Sequence, residues 1–152
     1  MKHKVLIVED QKAPLEALKD AVDEVMPKYF PDYTAQDKDI VRCYSEAFDK
    51  IANNVYAIVV LDHRMPIQNT GNLEKENFDL FSAQLVNIGY GLLPIIQRKS
   101  PDALIIGTSS LSRNERGDFH SPRYHMSKMY GEAERDLEKI LHETRGEGEN
   151  TT

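Results

Sequence analysis

The stretch YAIVVLDHRMP, residues 56–66, decides the fold class, because an apolar run ends abruptly on an acid. Residues 56–61 are apolar without a break, which is typical of a strand buried on both faces of a parallel sheet. Asp62 follows directly, and Met65 and Pro66 come three and four residues later. A carboxylate at the end of such a strand lies at the edge where these sheets place their ligands. Asp62 is therefore the first candidate functional residue.

Similar short apolar runs recur along the chain and alternate with longer segments in which apolar residues repeat every three or four positions. This alternation is typical of a parallel sheet covered by helices on both faces. It predicts an α/β fold, a doubly wound parallel sheet of five strands flanked by helices. The predicted strands are residues 4–8, 39–44, 56–61, 103–107 and 123–126.

Proline and capping residues mark the predicted helices. The first helix begins near Pro14, which suits a first helical turn, and stops near Pro27. Ser45 is a good N-cap for a short helix before the central strand. Pro94 again fits a first turn, here of a helix that packs onto the sheet. The last helix is predicted over residues 130–144, with its apolar side chains on one face.

Residues 67–88 form an insertion that exceeds ordinary connector length by roughly 15 to 20 residues. Within it, Phe78, Phe81, Leu85 and Ile88 lie three, four and three residues apart, which predicts a second amphipathic helix. The insertion leaves the sheet next to the candidate aspartate, so we expect a functional loop or lid. Its apolar face packs beside the site or docks a partner, and a plain core face is the alternative interpretation.

The totals of the chain set its broad class. At 152 residues it most simply forms one domain, residues 1–145, followed by a flexible tail at 146–152. A formal net charge of −6 disfavours direct binding to nucleic acid, whose phosphates attract basic surfaces. We see neither a signal peptide nor a membrane span, and the single cysteine, Cys43, fits a reducing compartment. These features predict a cytoplasmic protein.

Polar side chains follow the predicted strands at the carboxyl edge of the sheet. They are Glu9 and Asp10, then Asp62, then Thr108 with Ser109, and finally Lys128. Three carboxylates about 5 Å apart would repel one another by about 3 kcal/mol per pair at an effective dielectric of about 20. A hard divalent cation with oxygen ligands relieves that repulsion, and Mg²⁺ is the economical candidate. Lys128 adds a positive charge suited to a phosphate oxygen.

This set of residues has a definite chemistry. An ionised Asp62 beside a cation can act as a nucleophile toward phosphorus and form an acyl phosphate. The Thr108 hydroxyl can then bond the new phosphoryl group. If that bond differs between two conformations by about 1 to 3 kcal/mol, it shifts their ratio roughly 5- to 150-fold. The sequence therefore predicts a switch driven by phosphorylation.

In this combination the chain resembles the receiver domain of two-component response regulators. The resemblance covers nearly the whole chain, from Val5 to about Leu141. It is carried by the acidic pair in VLIVEDQ, the D-x-x-M-P motif, the Thr-Ser pair after LIIG, and the lysine. It implies a flavodoxin-like, five-stranded sheet and phosphorylation of Asp62 by a histidine kinase or a histidine phosphotransfer protein.

The resemblance also implies roles for single residues. Mg²⁺ would be held by Glu9, Asp10, Asp62 and the backbone carbonyl of Arg64. The Arg64 side chain would tune loss of the phosphoryl group by controlling access of water. Chemistry of this kind is limited to self-catalysed phosphorylation and dephosphorylation, so we do not expect an enzyme in the wider sense. No DNA-binding module follows, so output is expected to reach a downstream protein effector, and homodimer formation is left open.

The insertion at residues 67–88 is the largest departure from the family pattern, and three further features depart from it. Lys128 is followed by Met129, where the family has a proline in a cis peptide. His125 occupies the aromatic switch position, and Tyr124 would replace it if the strand register shifted by one residue. Between Thr108 and Lys128 the sequence has little helical period, so a short or irregular fourth helix is expected.

Two rival functions follow from the same residues. A phosphorylation-independent pseudo-receiver, acting as a protein interaction module, is favoured by the missing proline and opposed by the complete acidic set. A metal-dependent phosphohydrolase generally needs a second acid two residues after the nucleophile, and this chain has Arg64 there. Zinc chemistry is disfavoured because the spacing of His63, His120 and His125 is not that of a zinc site, so these are interpreted as surface or edge residues.

Overall fold

The computed structural model describes residues 3–108 and 119–146, and a parallel sheet forms its centre. The strands in chain order are β1 (Val5–Val8), β2 (Lys38–Val41), β3 (Ile58–Leu61), β4 (Arg64–Met65), β5 (Val86–Asn87), β6 (Leu104–Gly107) and β7 (Tyr124–His125). Five of them pair in parallel in the order β2-β1-β3-β6-β7, which confirms the predicted flavodoxin-like α/β fold. Strands β4 and β5 form a separate antiparallel pair.

Helices flank the sheet. In chain order they are α1 (Lys12–Tyr29), α2 (Tyr44–Asn53), α3 (Leu73–Glu76), α4 (Phe78–Ala83), α5 (Leu93–Lys99) and α6 (Glu132–Leu141). Short 3₁₀ turns lie at Ala35–Asp37 and Gly89–Leu92, and a π turn lies at His142–Gly146. Pro94 stands in the first turn of α5, as the sequence predicts.

Two apolar clusters hold the layers together. Every residue of the central strands β1 and β3 is buried, because helices cover both faces of the sheet. Helices α1 and α6 cover one face, where Leu18 and Leu137 are fully buried. Helices α2 and α5 cover the other face, where Ile51 and Ile96 are buried.

The strand register brings the carboxyl ends of three strands to one edge of the sheet. Val8 at the end of β1 is the partner of Leu61 in β3, and Leu61 is in turn the partner of Gly107 in β6. The residues that follow these strands therefore begin their loops side by side. The candidate residues Asp62 and Thr108 directly follow two of these strand ends.

The start of α2 differs from the prediction. Cys43 is its N-cap, not Ser45, because β2 ends at Val41 and the helix begins earlier. The first N–H groups of α2 are satisfied by the backbone carbonyls of Pro66 and Ile67, where the insertion begins, instead of by a capping side chain. The backbone carbonyl of Pro66 accepts from the Tyr44 N–H at 3.0 Å.

The amphipathic helix predicted in the insertion is also shorter than its apolar spacing indicates. Helix α4 ends at Ala83, and the chain then extends so that β5 pairs with β4. Phe81 is fully buried, whereas Phe78 is 55% exposed. The prediction of one continuous apolar face through Ile88 is wrong, because pairing of the two short strands competes with the helix.

Some expectations fall outside the described residues. The segment predicted to hold an irregular fourth helix lies mostly within residues 109–118, and the predicted tail lies almost wholly within 147–152. Within the described ranges, no helix combines the length and apolar character needed to cross a membrane.

Candidate functional site

Backbone hydrogen bonding continues one residue past the ends of β3 and β6. It fixes the backbone of Asp62 and Thr108, the residues that follow these strands. The Asp62 N–H donates to the Val8 carbonyl at 3.2 Å, and the Thr108 N–H donates to the Leu61 carbonyl at 3.0 Å. Side chains at these positions are therefore carried by the rigid sheet and not by loop tips. A site built on such a scaffold is held in one geometry before any ligand arrives.

Three carboxylates converge at this edge. Oxygen atoms of Glu9, Asp10 and Asp62 all lie within 4.8 Å of one another. The exposed fractions of these residues are 0%, 3% and 3%, so water does little to screen their repulsion. Glu9 is fixed by the Gln11 N–H, which donates to its Oε2 at 3.0 Å.

The pKa values of the cluster report this crowding. Burial raises the pKa of Asp10 to about 8, and the charges of Glu9 and Asp62 act in the same direction. Burial, and then the charge of Asp62, also raises the pKa of Glu9. Each shift records the free energy needed to keep another negative charge in this space.

The donor set fits a hard cation. The Asp10 Oδ2 atom is buried and has no hydrogen-bond partner among the described residues. An acceptor in that condition is costly unless a ligand satisfies it. Carboxylate oxygens close together are the ligands that Mg²⁺ prefers. The cluster of Glu9, Asp10 and Asp62 can therefore hold a divalent metal ion.

Lys128 reaches the same cluster from the loop after β7. Its Nζ atom lies 2.8 Å from Glu9 Oε1 and 3.0 Å from Asp62 Oδ2. Burial alone would lower the pKa of Lys128, but the charges of Asp62 and Glu9 and the hydrogen bonds to them raise it. One ammonium group compensates only part of the negative charge of three carboxylates. The remaining charge would attract a second cation.

Thr108 lies at the same edge as a second buried polar group. Its residue is 6% exposed, and its Oγ1 atom has no hydrogen-bond partner among the described residues. Thr108 and Lys128 line one cleft of about 560 Å³, together with His125. A hydroxyl and an ammonium group thus face a space large enough for a small anion, and the same ammonium group contacts Glu9 and Asp62.

Strand β7 carries both candidates for the aromatic switch position, and the role of either one stays a prediction. His125 pairs with Gly107 of β6. Its ring lies on the face of the sheet toward which a Gly107 side chain would point, since a Cβ atom on Gly107 would lie 3.1 Å from His125 Nδ1. Tyr124 packs instead against the cluster beneath α1 and α6. His125 is exposed, and its Nε2 lies 3.0 Å from Ser121 Oγ.

Arg64 opens strand β4, two residues after Asp62. Its side chain is exposed, and it pairs with Asn87 of the insertion. The roles implied for its backbone carbonyl and its side chain stay predictions.

His63 was interpreted as a surface or edge residue from the sequence, and that interpretation is wrong. It is fully buried, its N–H donates to Asp62 Oδ1 at 2.8 Å, and its Nδ1 accepts from the Tyr90 N–H at 2.9 Å. The rings of His63 and Tyr90 stack with centroids 4.3 Å apart. The pair of glycines around Tyr90 is the sequence signal that could have indicated this close packing.

Gly89 explains how that stack comes so near the site. A Cβ atom at Gly89 would lie 1.9 Å from the Asp62 carbonyl oxygen. Only glycine allows the chain to pass this close. The chain directly after the insertion therefore packs tightly against the backbone of Asp62.

The insertion also contacts the start of α1, directly after the loop that carries the other two acids. Glu74 Oε1 accepts from the Lys12 N–H at 3.1 Å, so a side chain of α3 caps the first turn of α1. The contact joins two segments that are 62 residues apart in the sequence.

Comparison with known proteins gives a likeness in structure only. The chain matches no protein-family model and no curated protein. It is similar to a solved CheY-like response regulator receiver domain protein from Methanospirillum hungatei JF-1, with a TM-score of 0.62 and 18% identity, covering 100% of both chains.

Two further solved structures are similar over most of this chain. One is the receiver domain of a sensor histidine kinase from Pseudomonas aeruginosa PAO1, with magnesium in its active-site cleft (TM-score 0.60, 15% identity, 94% of this chain and 97% of that one). The other is a Burkholderia pseudomallei response regulator with a phosphorylated aspartic acid, a calcium ion and citrate (TM-score 0.54, 14% identity, 93% of this chain and 65% of that one). These likenesses show that the chain has the fold of receiver domains.

Proposed function

We propose that residues 1–145 form a receiver that accepts a phosphoryl group on Asp62 and passes a signal by conformational change. One observation carries the proposal: oxygens of Glu9, Asp10 and Asp62 lie within 4.8 Å of one another, with Lys128 bonded to two of these residues. The phosphodonor would be a histidine kinase or a histidine phosphotransfer protein, and the output would go to a protein effector. Homodimer formation stays open.

Mg²⁺ would be held by Glu9, Asp10, Asp62 and the backbone carbonyl of Arg64. When bound, it supplies positive charge that neutralises the oxygens of the transferring group. The buried Asp10 Oδ2 supports this assignment, because it lacks a hydrogen-bond partner among the described residues. The magnesium ion in the Pseudomonas receiver supports it by analogy.

The chain's own residues would divide the remaining work. A carboxylate oxygen of Asp62 forms the new bond to phosphorus while the bond from phosphorus to the donor breaks. The Lys128 ammonium group, which contacts Glu9 and Asp62, would donate a hydrogen bond to the phosphoryl oxygens as well. The Thr108 hydroxyl would donate a hydrogen bond to the same phosphoryl group. When the end of β6 moves with Thr108, the His125 side chain on β7 would move with it. Arg64 would tune the hydrolysis that removes the phosphoryl group, and no wider enzymatic activity is proposed.

Phosphorylation of the purified protein tests this function. Wild type and Asp62→Asn are incubated with Mg²⁺ and acetyl phosphate, and the mass of each is measured with and without the metal. The proposal expects the addition of one phosphoryl group to wild type only, and only with Mg²⁺. Wild type that binds Mg²⁺ yet never gains the group would overturn it.

A phosphorylation-independent interaction module is the second candidate. The observation that favours it is the position of Lys128, whose two hydrogen bonds already compensate part of the acidic charge. A site closed by its own lysine would need no phosphoryl group to hold one shape. Beryllofluoride with Mg²⁺ discriminates the two, because the module would show no Asp62-dependent change in its NMR spectrum.

A further inference from the structure

The loop that carries Lys128 is fixed by hydrogen bonds from three of its backbone amides, those of Met126, Ser127 and Met129. The Met126 N–H donates to the Gly107 carbonyl at 3.0 Å, which ties the start of the loop to β6. The Met129 N–H donates to Ser127 Oγ at 3.1 Å and closes a tight turn around the lysine. Side chains of this chain therefore hold the turn in which the family uses a proline.

The strongest of these bonds comes from outside the loop. The Ser127 N–H donates to Asp136 Oδ2 at 2.8 Å, across nine residues of sequence. The acceptor is a carboxylate, and such charge-assisted bonds are shorter and stronger than neutral ones. Asp136 is half-buried, so water competes with the bond less than at a fully exposed position.

Asp136 is itself held in place by the core. It lies on α6 beside Ala133 and Leu137, which are both fully buried under that helix. The turn then runs directly into the helix, since the Ala133 N–H donates to the Met129 carbonyl at 2.8 Å. The position of Asp136 is thus set by the packing of α6, and the loop follows it.

We propose that Asp136, acting through the Ser127 N–H, is a positioning residue that aims Lys128 at Glu9 and Asp62. The proposal rests on the proposed function for its link to phosphoryl transfer. Asp136 touches neither the carboxylates nor the transferring group, so its effect must pass through Lys128. The Lys128 Nζ atom lies 3.0 Å from Asp62 Oδ2, so the positioned ammonium group stands beside the carboxylate that would carry the phosphoryl group.

Three variants separate this role from simple stabilisation. Asp136→Ala removes the acceptor, and we expect phosphorylation by acetyl phosphate to slow at least about fivefold. Asp136→Asn keeps an oxygen that can accept from Ser127, so we expect a rate within about twofold of wild type. Glu134→Ala changes an acid of the same helix for which the described residues show no hydrogen bond to the loop, and it should leave the rate unchanged.

A double-mutant cycle with Lys128→Ala provides the decisive readout. If Asp136 works through Lys128, then adding Asp136→Ala to Lys128→Ala causes no further loss of rate. A structural role for Asp136 would instead slow both backgrounds equally. Equal slowing, or an Asp136→Ala rate equal to that of wild type, overturns the proposal.

A measurement without metal or phosphoryl group keeps the two proposals distinguishable. In the metal-free protein at low temperature, the Lys128 ammonium protons should give an NMR signal, because bonds to two carboxylates slow their exchange with water. We expect Asp136→Ala to lose that signal and Asp136→Asn to keep it. If wild type is never phosphorylated, the proposed function fails while this result still decides the role of Asp136; a signal that persists in Asp136→Ala refutes that role.

Discussion

The ammonium group of Lys128 lies 2.8 Å from Glu9 Oε1 and 3.0 Å from Asp62 Oδ2, so one cation bridges acids that follow two different strands. Both acids are buried, and neither could keep its charge at low cost without that partner. The bridge thus links the stability of the sheet edge to the chemistry of the candidate site.

Removing Lys128 should destabilise the metal-free protein more than an ordinary surface substitution would. Lys128→Met leaves two buried carboxylates without their cation, and we expect the free energy of unfolding to fall by about 2 to 4 kcal/mol at pH 7. Urea unfolding with and without Mg²⁺ measures this effect. Mg²⁺ should restore part of the loss, and a Lys128→Met midpoint equal to that of wild type contradicts the prediction.

The affinity for Mg²⁺ should rise with pH. The pKa of Asp10 is raised to about 8 in the folded protein, so below that pH a proton competes with the metal for the carboxylate. We expect the association constant to increase up to about tenfold per pH unit below about pH 8 and to level off above it. Calorimetric titrations at several pH values check the slope. Asp10→Asn should bind more weakly and lose much of this dependence, and a constant affinity in wild type argues against a shared proton.

The same shift predicts the stability of the metal-free protein. Because the folded pKa of Asp10 is raised, its contribution is fully present below its ordinary pKa and is lost as pH rises through about 8. Asp10→Asn has no proton to lose, so it should exceed wild type in stability by about 1 to 3 kcal/mol near pH 9. The difference should vanish below about pH 3, where Asp10 is neutral in both states. Chemical unfolding across this pH range gives both values, and an Asn variant less stable than wild type at high pH would count against it.

The positions of residues that directly follow a strand are predictable from the sequence, whereas the geometry of the loops is not. Asp62 and Thr108 follow buried strands directly, so the sheet alone places them at one edge. The fully buried position of His63 depends on Tyr90, which comes from a different segment and meets it only in the folded chain. The glycines on either side of Tyr90 indicate close packing, but no local pattern identifies His63 as the partner.

The insertion shows the same limit in another form. Apolar spacing predicts a helix through Ile88, but strand pairing with Arg64 and Met65 ends that helix early. Likewise, the N-cap of α2 depends on the carbonyls of Pro66 and Ile67, which accept from its first N–H groups. Long-range hydrogen bonds override local preference in both places.

Gly89 should tolerate no side chain. A Cβ atom there would lie 1.9 Å from the Asp62 carbonyl oxygen, and backbone cannot move away cheaply. We expect Gly89→Ala to lower the free energy of unfolding by about 2 kcal/mol or more and to disturb the Asp62 amide signal. Gly71→Ala is the matched control, because Gly71 has a positive φ of 60° but no atom within 4 Å of its Cβ position. A cost of about 1 kcal/mol is expected for the control, and equal costs for both variants would show that close packing at Gly89 is unimportant.

The hydrogen bond between Glu74 and the Lys12 N–H should hold the insertion against the start of α1, next to the loop that carries Glu9 and Asp10. Glu74→Ala removes the acceptor, so we expect hydrogen exchange at the Lys12 amide to accelerate roughly tenfold, the value for loss of one hydrogen bond of about 1.4 kcal/mol. Glu76→Ala is the control, since this exposed acid lies two residues further along the same segment. Hydrogen exchange measured by NMR on the folded protein resolves this single amide.

The same two variants test whether the Glu74 hydrogen bond affects the lifetime of the phosphorylated site. A looser loop admits water to the acyl phosphate, so the phosphorylated form of Glu74→Ala should hydrolyse about two to five times faster than that of wild type. Glu76→Ala should match wild type in both measurements. Faster exchange at Lys12 with an unchanged phosphoryl lifetime would show that the insertion is tied to α1 without guarding the phosphorylation site, and its exposed residue Phe78 would then be better explained by contact with a partner.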